Sequence, residues 1–323
     1  MELLYRSLGK TGLRVSVLGY GAAPLGGVYG HVDEATGIAT VRRALDLGIN
    51  LIDVAPYYGA TAAETLLGMG LEGVERSSYV LATKVGRYGL MDFDFSAARV
   101  VASVDESLRR LGTDYVDIIQ CHDIEFGDVR GIIDETIPAL EKLKDQGKAR
   151  FVGVTGYPLA PLARVCAELE IDTVLSYCRF NLLDTALRDR LPFFAEHNVG
   201  VISASPLAMG LLTPTGPPAW HPARADIIAA ADRAAKYCAD NGLDLAKLAL
   251  QFAISNADVA STLVGAAAPE VIEQNIAFAA EMPDIRAIAE VQQILSSVTD
   301  PTWTSGRPEN SDSPPVPSVT KGT

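Results

Sequence analysis

The chain has 323 residues, 48% of them hydrophobic, and a formal net charge of −13. That length and apolar content support one large core or two small ones. The acidic balance, with no Lys/Arg run longer than two residues, argues against nucleic acid and anionic membrane surfaces as partners.

In chain order, LLYRSLGKTGLRVS reads as a β-hairpin turning at Gly9–Gly12. VSVLGYGAA (15–23) reads as a first buried strand. DEATGIATVRRALDLG (33–48) is an amphipathic helix: Asp33 is the N-cap, Ile38, Val41 and Leu45 form the stripe, and Gly48 stops it. NLIDVA (50–55), YVLATK (79–84), YVDIIQC (115–121), ARFVGVTG (149–156), TVLSYC (173–178), GVISAS (200–205) and STLVGA (261–266) are further strands, separated by helical patterns such as ARVVASVDESLRRLG and DETIPALEKLKDQG. An insertion, LLTPTGPPAWHPA, lengthens the interval before the last strand. The strand runs are nearly continuous in apolar residues, as strands covered on both faces should be. Eight βα units in succession predict an α/β fold, a (β/α)8 TIM barrel with an N-terminal β-hairpin. A doubly wound sheet is the competing architecture. GYGAAPLGG speaks against it, because Pro24 stands where a third fingerprint glycine belongs. One domain is expected over 1–299, followed by a Pro/Ser-rich, disordered tail over 300–323.

No run of ~20 apolar residues predicts a membrane span, and MELLYRSLGK lacks the apolar stretch of a signal peptide. Cys121, Cys166, Cys178 and Cys238 are scattered without CxxC spacing. Free thiols in a reducing compartment, a cytoplasmic location and no metal are therefore expected. Expected too is a monomer or weak homo-oligomer.

In a barrel, functional groups sit at the C-terminal ends of the strands. The second strand ends at Asp53, with Tyr58 in the loop beyond it, the third at Lys84 and the fourth at His122. Neighbouring strands lie ~5 Å apart, so these four side chains converge. Lys84 would neutralise Asp53. A cation ~4 Å from a phenol, at an effective dielectric of ~20, is worth about 4 kcal/mol, which would bring Tyr58 from ~10 to about 7. His122 would orient a substrate oxygen. Such a group suits proton exchange with a carbonyl or alcohol, half of a hydride transfer whose other half needs a cofactor. Taken singly, an Asp–Lys pair at strand ends is also a common structural ion pair.

In DVAPYYG, LATKVG and IIQCHD these residues resemble the catalytic tetrad of the aldo-keto reductases. The resemblance extends through RSLGKTGLRVSVLGYGAAPLG, SVDESLRRLGTDYVDI, LEKLKDQGKARFVGVTG and ASPLAMGLLT. Further phrases (DFSAARVVASVDESL, CHDIEFG, GPPAWHPA, TWTSG) are similar to a branch that oxidises aldoses at C1 to lactones. The resemblance implies a nicotinamide cofactor, L-galactose as sugar, and Tyr58 as the base. L-fucose, D-arabinose and pyridoxal are alternative substrates, and a non-catalytic nicotinamide-sensing subunit is the alternative outside enzymes. It also implies cofactor contacts at Thr155, Tyr177, Ser205, Pro206, Leu207, Gly210, Gly265, Gln274 and Asn275. No Lys or Arg lies between Lys247 and Arg286, where a 2′-phosphate would need one, so NAD is expected rather than NADP. Three positions depart from the common family pattern: Thr155-Gly156 replaces Ser-Asn, Tyr177 replaces Gln, and Ala204 replaces an aromatic residue. A sugar needs hydrogen-bonding partners. Tyr57, Arg87, Tyr88, Asp123, Trp220 and His221 are the candidates, with Asp123 readable also as a loop cap and Trp220 as a pin for the insertion.

Overall fold

The computed structural model describes residues 3–313. Ten strands form: β1 (Tyr5–Ser7), β2 (Arg14–Ser16), β3 (Leu18–Gly21), β4 (Leu51–Asp53), β5 (Val80–Val85), β6 (Val116–Cys121), β7 (Ala149–Gly156), β8 (Thr173–Tyr177), β9 (Gly200–Ala204) and β10 (Ser261–Gly265). The last eight close a parallel barrel in the order β10-β3-β4-β5-β6-β7-β8-β9. Outside it lie α1 (Glu34–Asp46), α2 (Ala62–Leu71), α3 (Ala97–Leu111), a single turn α4 (Val129–Gly131), α5 (Ile137–Asp145), α6 (Leu159–Glu168), α7 (Leu191–Glu196), α8 (Ala225–Asp240), α9 (Leu245–Ala253), α10 (Pro269–Ala280) and α11 (Ile285–Leu295).

The local signals act as expected at several ends. The Asp33 side chain accepts from Thr36 N at the start of α1, and Gly48 takes φ +89 beyond its end. The run 15–23 is not one strand, however. It divides at Val17, with β2 pairing antiparallel to β1 and β3 joining the barrel. The hairpin closes the N-terminal end of the barrel: Leu8 is fully buried with the lumen residues Leu51, Ala82, Ile118 and Leu263. A second apolar layer lies between the strands and the surrounding helices.

The first part of the expected tail is packed against the barrel. Residues 301–313 run back across the barrel mouth. Trp303 stacks on Tyr157 with centroids 4.9 Å apart, Asn310 is buried, and Asp312 reaches Arg179 at 2.9 Å. Asp312 Oδ1 also accepts from Leu159 N and Ala160 N, satisfying free N–H groups at the start of α6. Its specific side chains overcome the Pro/Ser composition. The rest of the predicted tail, 314–323, lies outside the described residues.

Candidate active site

The register explains how the tetrad meets. Asp53 lies opposite Ala82, and Lys84 opposite Gln120. Side chains two apart share a face, so Ala82 and Lys84 point inward on β5, as Ile118 and Gln120 do on β6. Lys84 therefore sits one step above Asp53 and pairs with its Oδ1; both side chains are buried. Gln120 Nε2 donates to the other oxygen at 2.8 Å, and Lys84 Nζ donates to Val54 O at 2.9 Å. This buried pair thus has the added hydrogen bonds that such pairs require.

Tyr58 is delivered by the loop after β4. That loop lies back to back with the one after β3: a Cβ on Gly59 would sit 2.5 Å from Gly26 O, and one on Gly26 would sit 2.6 Å from Gly59 N. Glycine is needed at both positions for this approach. Lys84 Nζ comes within 3.2 Å of Tyr58 Oη, and the His122 ring stands edge-on to Tyr58 at 5.7 Å.

The electrostatics correct one expectation. Burial raises the Tyr58 phenol to about 12, outweighing the lowering by Lys84, while Asp53 and Asp123 raise it further. A value near 7 follows from the lysine alone and leaves out burial and the carboxylate that neutralises it. Burial likewise depresses His122 to about 3, so the imidazole is neutral, with no partner for Nδ1 among the described residues. Burial opposes the charge on Lys84, but Asp53 and Tyr58 hold its ammonium above the ordinary range.

Beside the tetrad, Arg87 pairs with Asp123, and its guanidinium lies 3.9 Å from the Tyr57 ring centre, with Phe93 and Phe126 beyond. Asp123 adopts φ +50, a conformation Asp tolerates better than most residues, and its N–H donates to Thr155 Oγ1 at 3.0 Å. Burial opposes ionisation of Asp123, yet the cations Arg87 and Lys84 keep its carboxyl below the usual range. Tyr57, Arg87 and Asp123 therefore gather at the tetrad.

Two candidates do not. Tyr88 turns toward the helical layer, where its hydroxyl accepts from Gly86 N and Arg99 of α3 covers its ring at 4.0 Å. His221 is buried inside the insertion: Nε2 donates to Ala208 O and Nδ1 accepts from Ala223 N, so both nitrogens are spent on the loop. Trp220 is half exposed and packs on Tyr29, 5.8 Å away, tying the insertion to the loop after β3. That arrangement favours the pinning role.

The cofactor candidates fall along β7 to β10 and α10. Thr155 ends β7 inside the site, and Tyr177 ends β8 with its hydroxyl 3.4 Å from Glu125 Oε1. Ser205, Pro206 and Leu207 follow β9, Ser205 at φ +58, and Gly210 takes φ +102. Gly265 closes β10 and is exposed; Gln274 and Asn275 lie on α10, the first exposed and the second half-buried. One cation does reach α10, Arg43 from α1, but Glu273 holds it at 2.7 Å.

The sequence reading passed over Gln120, Glu125, Tyr157, Trp303 and Ser305. Glu125 carried a local signal, an acid between Ile124 and Phe126 three residues past His122. The partners of the others are set by folding alone.

Residues 17–296 match the Aldo/keto reductase family, and the chain belongs to it. It is accordingly an oxidoreductase, built on that family's barrel. The chain is 49% identical over 314 residues to L-galactose dehydrogenase of Arabidopsis thaliana, covering 94% of this chain and 98% of that one. It is 37% identical to D-arabinose 1-dehydrogenase of Saccharomyces cerevisiae, over 75% and 76% of the two chains. Among solved structures, an aldo-keto reductase from Bacillus halodurans in its holo form superposes with a TM-score of 0.76 at 29% identity, covering 94% of this chain and 98% of that one.

Proposed function

We propose that this protein is an NAD-dependent aldose 1-dehydrogenase that oxidises L-galactose at C1 to L-galactono-1,4-lactone. The observation that carries the proposal is the buried Asp53–Lys84 pair with Tyr58 Oη 3.2 Å from Lys84 and a neutral His122 alongside. The similarity to the plant L-galactose enzyme and the yeast D-arabinose enzyme supports a sugar substrate.

An oxidised nicotinamide, when bound, supplies the hydride acceptor. The donors available for its remainder are neutral: the Ser205 hydroxyl, the side chains of Gln274 and Asn275, and the N-terminal turn of α10. They fit ribose hydroxyls and a pyrophosphate but give no cation to a 2′-phosphate.

Tyr58 exchanges the proton of the C1 hydroxyl, and Lys84 stabilises the phenolate when Tyr58 acts as base. His122 holds the C1 oxygen as a neutral hydrogen-bonding group. Asp123, with Arg87 fixing its orientation, faces the sugar hydroxyls. Because Tyr58 rests as a phenol, oxidation should accelerate as pH rises and reduction as pH falls.

The test follows absorbance at about 340 nm, where reduced nicotinamide absorbs, with NAD or NADP against L-galactose, L-fucose, D-arabinose, D-galactose and pyridoxal. Strong NAD reduction with L-galactose and weak reduction with D-galactose is expected. Preference for NADP would remove the cofactor reading. NAD binding without turnover on any of these compounds would remove the sugar reading and leave a sensor.

A further inference from the structure

We propose that Glu125 is a positioning residue of the substrate site, whose buried carboxyl fastens Tyr177 and the C-terminal segment Trp303–Asp312 into one wall facing Asp123. This rests on the sugar-oxidising reading only for the kinetic part of its test.

Glu125 follows the tetrad histidine by three residues and is fully buried. Its Oε1 accepts from Ser305 Oγ at 2.9 Å, from Tyr157 N at 3.1 Å and from Tyr177 Oη at 3.4 Å. Its backbone carbonyl accepts from Arg307 N and Asn310 Nδ2, both at 2.9 Å. One residue thus gathers the ends of β6, β7 and β8 and the returning C-terminal segment. The Tyr157 ring stacks on Trp303 at 4.9 Å and meets Tyr177 at a tilt, 5.5 Å away.

The other carboxyl oxygen, Oε2, has no hydrogen-bond partner among the described residues. A Cβ placed on Gly156 would stand 2.7 Å from it, with Leu162 nearby. Glycine at 156, one of the departures from the common family pattern, therefore leaves the room that this carboxyl fills.

No cation contacts Glu125 among the described residues. Asp123 is the nearby carboxylate, paired with Arg87, and the other titratable neighbours are His122, neutral, and the phenols Tyr157 and Tyr177. Arg179 is directed instead to Asp184 and Asp312, and the Arg307 side chain to Phe126 O. Burial and the Asp123 carboxylate favour an uncharged carboxyl and outweigh the donors Tyr157 N and Ser305 Oγ, which favour the charged one. Burial and Asp123 together raise Glu125 to about 8. Ionisation above that pH would put a second charge beside Asp123 and loosen the wall.

The test compares the full chain with Glu125→Gln and Glu125→Ala. With NAD and L-galactose, Glu125→Ala should raise the sugar KM about 10-fold or more and leave the NAD KM within about 2-fold, while Glu125→Gln restores most of the affinity. Above about pH 8 the wild-type sugar KM should climb, and that of Glu125→Gln should not. A readout independent of turnover is chymotrypsin cleavage after Trp303, together with Trp303 fluorescence in a Trp220→Phe background. Both should reveal release of the segment in Glu125→Ala at neutral pH and in wild type at alkaline pH. If no sugar is oxidised, the sugar reading fails while these two signals still decide the wall. A Glu125→Ala segment as protected as wild type would overturn the proposal. So would Glu125→Gln behaving like Glu125→Ala, which would mean that a charged carboxylate is required.

Discussion

The carboxyls of Asp53 and Glu125 are both buried at the mouth of one barrel, and they are held in opposite ways. Asp53 has an ammonium on one oxygen and an amide on the other. Glu125 has three neutral donors on one oxygen and none on the other, with a carboxylate for a neighbour. Burial penalises charge in both, and the partner decides the outcome. The β4–β6 side is thereby a charged floor that can bias a proton, and the β7–β8 side with the C-terminal segment is a neutral wall that can bias shape.

The largest effect should come from the floor. Tyr58→Phe removes the proposed proton carrier and leaves the ring in place. Turnover should fall by about 100- to 10,000-fold, with NAD affinity held within about 2-fold. Steady-state rates and cofactor-fluorescence titration measure the two. A residual rate within a few-fold of wild type would assign the proton to another group.

Lys84→Met tests the floor's stability. It strands Asp53 in the interior without its cation. The loss should be about 3–5 kcal/mol, read from urea unfolding followed by circular dichroism. An unchanged midpoint would mean that Asp53 is neutral and that Gln120 suffices as its partner.

The wall should lose stability as pH rises. Glu125 is raised when folded, to about 8 from its ordinary value of 4.5. Its contribution to stability is therefore fully present below about 4.5 and is lost as pH rises through about 8. Over that window the unfolded chain has released the proton and the folded chain keeps it, so stability declines with pH. Glu125→Gln should flatten that decline, worth on the order of a few kcal/mol, in unfolding curves collected from pH 5 to 9. Equal slopes in the two proteins would assign the titration elsewhere.

How much of each side could be read in advance follows from chain geometry. Asp53, Lys84 and His122 sit at successive strand ends, so recognising the βα repeat was enough to bring them together. Gln120 escaped because an amide inside an apolar strand gives no sign of its face until the register with β5 is known. Of the wall, only Tyr177 and the acid at 125 left a trace in the sequence. Ser305 meets Glu125 across 180 residues, and Asp312 meets Arg179 across 133, through a segment whose composition suggested disorder. Tyr58 failed in magnitude rather than position, because a sequence names a neighbouring charge but not how deeply it is buried. Tyr88 and His221 were placed by proximity along the chain, and their backbone hydrogen bonds turn them aside.

Asp123 lies between floor and wall, and Asp123→Ala would separate their roles. It removes the proposed sugar acceptor and strands Arg87. The sugar KM should rise about 10-fold or more, with the NAD KM unchanged. An unchanged sugar KM would leave Asp123 as a loop cap.

The smallest effect carries the same rule to the edge of the site. Glu273 neutralises Arg43 beside Gln274, much as Asp53 neutralises Lys84, but here both side chains are substantially exposed. An exposed pair is worth little in stability, so Glu273→Gln should fold normally. It would free a guanidinium next to Gln274 and Asn275, the α10 positions proposed to contact the cofactor. NADP use should then improve by about 3-fold in kcat/KM, while NAD use changes by less than about 2-fold. A gain that disappears in Glu273→Gln/Arg43→Ala would assign it to Arg43. No gain in the single variant would mean that Arg43 does not reach the 2′ position, and the proposed preference for NAD would then rest on the absence of Lys and Arg from 248–285.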